Sequence, residues 1–116
     1  MTTIYGIKNC DTMKKAFRWL DEHNIEYTFH DYRKDGLDRE LLASWIEQLG
    51  WEAVVNKRGT TWRKLTPETQ AAMNDQTALE VLLEQPAMIK RPLLDHAQSL
   101  TLGFKEDSYS NIFAKQ

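Results

Sequence analysis

The sequence predicts an α/β sandwich with a helical insertion, and three observations carry that prediction. A β-rich stretch, an amphipathic helix and a second β-rich stretch follow one another within about 30 residues, which fits a right-handed βαβ unit with parallel strands. Helical patterns then fill the middle of the chain, and two short strands and a last helix close it. The chain has 116 residues, 41% of them hydrophobic, enough for one core, so a single domain over 1–116 is expected, with its helical insertion over about residues 36–85.

Thr3 to Ile7 is β-rich, and Gly6 within it marks a close backbone approach just before a loop. Met13, Ala16, Phe17 and Leu20 recur at i, i+3, i+4 and i+7, so the first helix follows, with Asp11 or Thr12 as N-cap and Asn24 as its stop. From Ile25 to Tyr32 aromatic and polar residues alternate, Tyr27 and Phe29 against Thr28 and His30, as in a second strand. Lys34-Asp35-Gly36 reads as a turn, and Asp38 caps a helix whose apolar face holds Leu41, Leu42, Trp45, Ile46 and Leu49 up to Gly50.

Trp51 to Val55 is apolar and too short to classify, and Asn56 to Arg63 is a basic loop around Gly59. Thr66 as N-cap and Pro67 at the first helical position start a brief helix carrying Ala71, Ala72 and Met73. The next helix presents Leu79, Leu82 and Leu83 and is ended by Pro86; its N-cap is either Thr77, in a capping box with Glu80, or Asn74. Beyond Pro86 a turn feeds a β-hairpin that runs to Leu102, and Tyr109, Ile112 and Phe113 share one side of a final helix.

With 15 Lys+Arg against 17 Asp+Glu, a net charge of -2 argues against a nucleic-acid binder that relies on a basic surface. No apolar run approaches the roughly 18 to 20 residues that span a bilayer, and no secretory leader is evident. One cysteine fits a reducing compartment. The expectation is a cytoplasmic monomer with neither nucleic acid nor membrane as partner. His23, His30 and His96 are scattered without metal-ligand spacing, so no metal is expected.

The candidate for chemistry is Cys10, set where the first strand turns into a basic-flanked helix. The helix N-terminus carries roughly half a positive charge, which favours a thiolate. Lys8 and Lys14 add to that and Asp11 opposes it. Taken alone, a single cysteine reads equally well as an inert small apolar residue. If Cys10 reacts, the absence of a second cysteine makes any disulfide intermolecular. Arg91 before Pro92 reads by itself as an exposed arginine beside a turn proline that can be cis. Asn56, Lys57, Arg58 and Arg63 form either an anion-binding wall or a solvated loop. Trp45, Trp51 and Trp62 read as packing residues.

Together, Ile4 to Ala16 around Cys10, the Asn56-Lys57-Arg58-Gly59 loop, Pro86 to Pro92 and Gly103-Phe104-Lys105 resemble the ArsC and Spx family of arsenate reductase-like proteins, in its YffB-like branch. The resemblance covers nearly the whole chain. It implies a thioredoxin-like fold with a helical insertion after the first βαβ unit, Arg91 facing the cysteine, and Pro92 as the cis-proline of the fold. In family arsenate reductases the thiolate attacks the arsenic oxyanion, arginines stabilise the adduct, and glutathione or glutaredoxin releases the product.

The chain departs from that pattern at defined positions. Of the family's three arginines only Arg91 is matched; the first falls at Asn56 and the third near Phe104. Charge-assisted hydrogen bonds are worth about 1.5 to 3 kcal/mol each, so two lost donors weaken oxyanion binding, although Arg58 and Arg63 could compensate. Gly6 replaces a histidine of the arsenate reductases, and Met13 stands where Spx-like regulators carry the second cysteine of a redox switch.

The resemblance therefore implies a glutathione-dependent thiol reductase working through an intermolecular mixed disulfide, with Cys10 and Arg91 catalytic. Lys8, Asn9, Asp11, Thr12, Lys14, Asn56, Arg58, Arg63 and Pro92 are its candidate substrate- or glutathione-binding residues. No tightly bound cofactor is implied; glutathione is the co-substrate, and an oxidised thiol or an oxyanion the substrate. The alternatives are an arsenate reductase and a non-catalytic, Spx-like regulator that docks on a protein partner.

Overall fold

The computed structural model describes residues 2–8, 10–97 and 99–114. In chain order the elements are β1 (Thr2–Gly6), α1 (Asp11–Glu22), β2 (Thr28–Asp31), α2 (Tyr32–Asp35), α3 (Arg39–Leu49), α4 (Trp51–Val54), α5 (Thr60–Arg63), α6 (Pro67–Ala71), α7 (Asp75–Glu84), a 3-10 turn (Pro86–Met88), β3 (Leu93–His96), β4 (Ser99–Leu102) and α8 (Glu106–Ala114). They fall into two compact units, one of residues 1–32 with 91–116 and one of residues 33–90.

The first unit is built on a four-stranded sheet ordered β2-β1-β3-β4. β1 runs parallel to β2, from Thr3↔Thr28 to Gly6↔Asp31, and antiparallel to β3, from Thr2↔His96 to Tyr5↔Leu93. β4 pairs antiparallel with β3, which makes the expected hairpin. This is a thioredoxin-like arrangement. On one face, Ile4 and Leu94 join Met13, Ala16, Trp19 and Leu20 of α1 and Tyr109 of α8 in a buried cluster. Burying each such large side chain stabilises by about 1.5 to 3 kcal/mol, which holds α1 against the sheet. Phe17 adds to it, stacked on Tyr27 at 5.8 Å and edge-on to Phe29 at 4.9 Å.

Gly6 permits this packing at the end of β1. A Cβ there would lie 2.5 Å from the sulfur of Met13, so the thioether occupies the space that a larger residue would need. The N-cap of α1 is Cys10 rather than Asp11 or Thr12. Those two have the better capping side chains, but they already hold helical positions because the backbone turns one residue earlier. Asn24, with φ 56, ends the segment in the left-handed conformation that asparagine tolerates. β2 is shorter than the alternation suggested, because Ile25 to Tyr27 only lead into it and Tyr32 already opens α2.

In the second unit, the Asp38 carboxylate accepts from the Leu41 N–H at 2.9 Å and starts α3. Gly50, with φ 86, ends α3 and opens α4, so the unclassified segment is a single helical turn. Thr66 caps α6 with Pro67 in its first turn. Of the two possible caps for α7, Asn74 takes the role: its side chain accepts from the Gln76 and Thr77 N–H groups, while the Thr77 hydroxyl returns a bond to the Asn74 backbone. Leu42, Trp45, Ile46, Val54, Val55, Met73, Ala78, Leu82, Met88 and Ile89 are the buried apolar residues of this unit. A bridge between Val55 and Ile89, with Asn56 N–H donating to Met88 O at 2.7 Å, ties the two ends of this core together. Among the described residues no helix is long and apolar enough to cross a membrane.

Candidate functional site

Cys10 lies in the loop that carries the chain from β1 into α1, and its backbone is extended (φ -147, ψ 129) as an N-cap requires. Its carbonyl accepts the Lys14 N–H at 3.0 Å, so the helix is hydrogen-bonded from this residue onward. The thiol is free and partly exposed, and it packs beside the α1 cluster.

Burial alone would push the Cys10 thiol up, but the environment brings it below its ordinary value. The Met13 N–H, a hydrogen bond from the Arg91 side chain, the Thr12 N–H and the charge of Arg91 outweigh the burial. The sulfur makes no cap of standard geometry, yet the two N–H groups at the helix start are those that a capping atom would face. The lowering thus comes from backbone dipoles and one arginine. Lys8, Asp11 and Lys14, all exposed, are not among the groups acting on the thiol.

Arg91 reaches Cys10 because of strand register. β3 begins two residues later and runs antiparallel to β1, so the chain before Leu93 lies alongside the chain after Tyr5. The Arg91–Pro92 peptide is cis, Pro92 is buried, and its carbonyl accepts the Gly103 N–H at 2.8 Å. Arg91 itself is half-buried, with its Nε inside the protein.

The parallel register on the other side of β1 brings in Tyr32. Gly6 pairs with Asp31, so the next residue of the β2 chain comes level with the Cys10 loop. Tyr32 is 3% exposed and stacks on Tyr5 with ring centroids 6.5 Å apart and planes 18° apart. Burial, then Tyr5, raises its hydroxyl far above the usual phenol range, and the charge of Arg91 acts in the opposite direction. From sequence Tyr32 reads only as the end of a strand; its spacing of two from His30 is the one signal that puts those two rings on a common face, and the β1–β2 register adds Tyr5.

The first unit thus brings Cys10, Thr12, Arg91 and Pro92 together, with Lys8, Asp11 and Lys14 on exposed positions around the loop. Asn9 lies outside the described residues. Asn56, Arg58 and Arg63 belong to the second unit. There the Asn56 side chain accepts the Arg58 N–H at 3.2 Å and shapes the loop, while Arg58 and Arg63 are exposed. The Lys57 ammonium sits over Trp51 and Trp62, 4.9 and 5.7 Å from the ring centroids, and pairs with Glu52 at 3.5 Å. No group of three or more His, Cys, Asp or Glu residues suited to a metal occurs among the described residues.

This arrangement can do nucleophilic sulfur chemistry: a partly exposed thiol held below its ordinary value, beside a guanidinium that can hold an anionic group of a substrate. Met13, three residues on, is fully buried, so its position contributes packing.

Comparison with known proteins points the same way. The chain matches the model of the ArsC family over residues 5–112. An uncharacterized protein of Haemophilus influenzae is 50% identical over 114 residues, which cover 98% of this chain and 100% of that one. Among solved structures, the YFFB (PA3664) protein superposes with a TM-score of 0.90 at 49% identity, over 96% of this chain and 97% of the other. The solution structure of an arsenate reductase (ArsC) related protein from Brucella melitensis gives a TM-score of 0.81 at 49% identity, over 97% of this chain and 93% of the other.

Proposed function

The chain belongs to the ArsC family, and from that premise we propose that it is a glutathione-dependent thiol reductase. The observation that carries this reading is the pair of Cys10, its thiol held below the ordinary value, and the half-buried Arg91 that supports the thiolate. The Cys10 thiolate attacks one sulfur of an oxidised substrate disulfide, forming a Cys10–substrate mixed disulfide and expelling the other sulfur as a thiolate that takes up a proton. Glutathione thiolate then attacks the substrate sulfur of that mixed disulfide, forms a glutathione–substrate disulfide and returns Cys10 as thiolate. The electrons come from glutathione, because Cys10 is the only cysteine in the chain.

Arg91 and the N–H groups of Thr12 and Met13 would hold the thiolate, and the exposed Lys8 and Lys14 are candidates for the carboxylates of glutathione. No tightly bound cofactor enters the cycle, and its need for reduced glutathione suits a cytoplasmic location. The test is alkylation of Cys10 against pH, together with the mass of the protein after exposure to oxidised glutathione. A lowered thiol pKa and an adduct of one glutathione are expected; an ordinary thiol pKa with no adduct would sink the reading.

Arg91 beside the thiol also favours a second reading, reduction of arsenate. Against it stands the departure from the family pattern, which by resemblance puts the first arginine of the arsenate reductases at Asn56 and the third near Phe104. Arsenate-dependent oxidation of glutathione would establish it, and its absence would reject it. A regulator that docks on a protein partner without turnover would keep its function in Cys10→Ser, which the reductase cannot.

A further inference from the structure

Resting on the reading of Cys10 as a nucleophilic thiol beside Arg91, we propose that Phe104 is the residue that sets substrate specificity. Its ring is an apolar wall of the thiol site and directs it to organic disulfides that carry an aromatic group on sulfur and an anionic group farther out.

Strand pairing brings Phe104 to the site. The β3–β4 ladder ends at Leu93↔Leu102, at the end of the sheet where β1 pairs through Tyr5↔Leu93 and the chain turns toward Cys10. The Gly103 N–H donates to the Pro92 carbonyl at 2.8 Å, which carries the pairing one residue past the ladder. The next residue outward is Arg91 on one chain and Phe104 on the other. Gly103, with φ 79, turns the chain here in a conformation that a larger residue disfavours. Phe104 then packs, half-buried, against the buried cluster of α1, α8 and the sheet, and Cys10 packs against that same cluster. The Phe104 ring lies edge-on to the fully buried Tyr109, with centroids 4.7 Å apart and planes at 88°, so its orientation is fixed.

Cys10 thus receives its substrate at an end of the sheet that offers both a guanidinium and an aromatic ring. The guanidinium serves any anion. The ring has no hydrogen bond to give, so a small oxyanion or a charged aliphatic disulfide gains nothing from it, whereas an aromatic group on it removes two apolar surfaces from water. In the exchange step the Cys10 thiolate attacks one substrate sulfur and bonds to that half, and the other half leaves as a thiolate that takes up a proton. The group on the attacked sulfur stays beside Cys10 and rests on Phe104.

Two dicarboxylate disulfides separate the ring from the charge: dithiobis(nitrobenzoate), which is aromatic, and dithiodiglycolate, which is aliphatic. The chain has one cysteine, so the growth of a single adduct by mass gives the rate for each. Alkylation by iodoacetamide reports the thiolate itself. Phe104→Ala should slow exchange with the aromatic disulfide about fivefold and leave the aliphatic exchange and the alkylation nearly unchanged. Phe104→Leu, which keeps apolar bulk if the alanine variant folds poorly, should slow the aromatic exchange about twofold and spare the other two reactions.

Unchanged aromatic exchange would overturn the inference, and so would equal slowing of both disulfides, with or without slower alkylation. The assay contains no glutathione, so it is separable from the reductase reading. Selective loss of the aromatic exchange supports the role of Phe104 even if oxidised glutathione gives no adduct. A glutathione adduct without that selective loss rejects the role of Phe104 alone.

Discussion

The arginines of the two units behave differently. Arg91 of the first is half-buried, fixed beside a cis-proline, and its charge reaches both a thiol and a phenol. Arg39 of the second unit is exposed and pairs with exposed Glu80 across α3 and α7. Water and salt screen the second pair, whereas partial burial preserves the field of the first. The difference teaches where chemistry can be built: at the end of the central strands of the first unit, the fold directs backbone dipoles and a half-buried charge at one sulfur.

The comparison can be broken most forcefully at Gly6, where the tight packing behind the Cys10 loop begins. Gly6→Val should destabilise by about 1 to 3 kcal/mol through overpacking against Met13, read as a lower denaturant midpoint. Adding Met13→Ala should recover part of it. If Gly6→Val is neutral, the loop is not braced from below as described.

Next in size is Arg91→Gln, which should raise the Cys10 pKa by about one unit and slow alkylation below that pKa about tenfold. High salt should mimic only a small part of this, since the charge is partly shielded from solvent. An effect erased by salt would make Arg91 no different from Arg39.

A smaller effect concerns stability against pH. The folded Cys10 pKa is lowered, so the thiolate favours the folded state above the unfolded thiol value of about 8.5, and that contribution is lost as pH falls through the folded pKa. Wild type should therefore gain stability over Cys10→Ser as pH rises between those two values. Parallel denaturation curves across the interval check the sign.

The smallest effect is expected for Arg39→Ala, which should leave the unfolding midpoint nearly unchanged because its ion pair is exposed to solvent. A loss as large as that of Gly6→Val would mean that the second unit also depends on a structural charge.

Legibility varied with the range of the interactions. The apolar face of α1 follows from a spacing of three and four residues, and Met13, Ala16 and Leu20 are all buried as that spacing requires. Asp38 and Thr66 cap as read, because a cap bonds only to its own first turn. α4 was not legible, since Gly50 both ends one helix and begins the next. Cys10 as N-cap was hidden behind two better capping residues. The role of Lys8 and Lys14 as thiolate supporters depended on sequence proximity, whereas the charge acting on the sulfur comes from Arg91.

The sequence by itself determined that one thiol stands at a helix start, that no second thiol in the chain can resolve it, and that a methionine three residues on lies on the apolar face of that helix. These are matters of composition and local period. Only the tertiary structure decided which distant groups face that thiol. Arg91 arrives there through the antiparallel register of β3 on β1. A register is set by which faces of whole strands are buried, and no window of neighbouring residues contains that information.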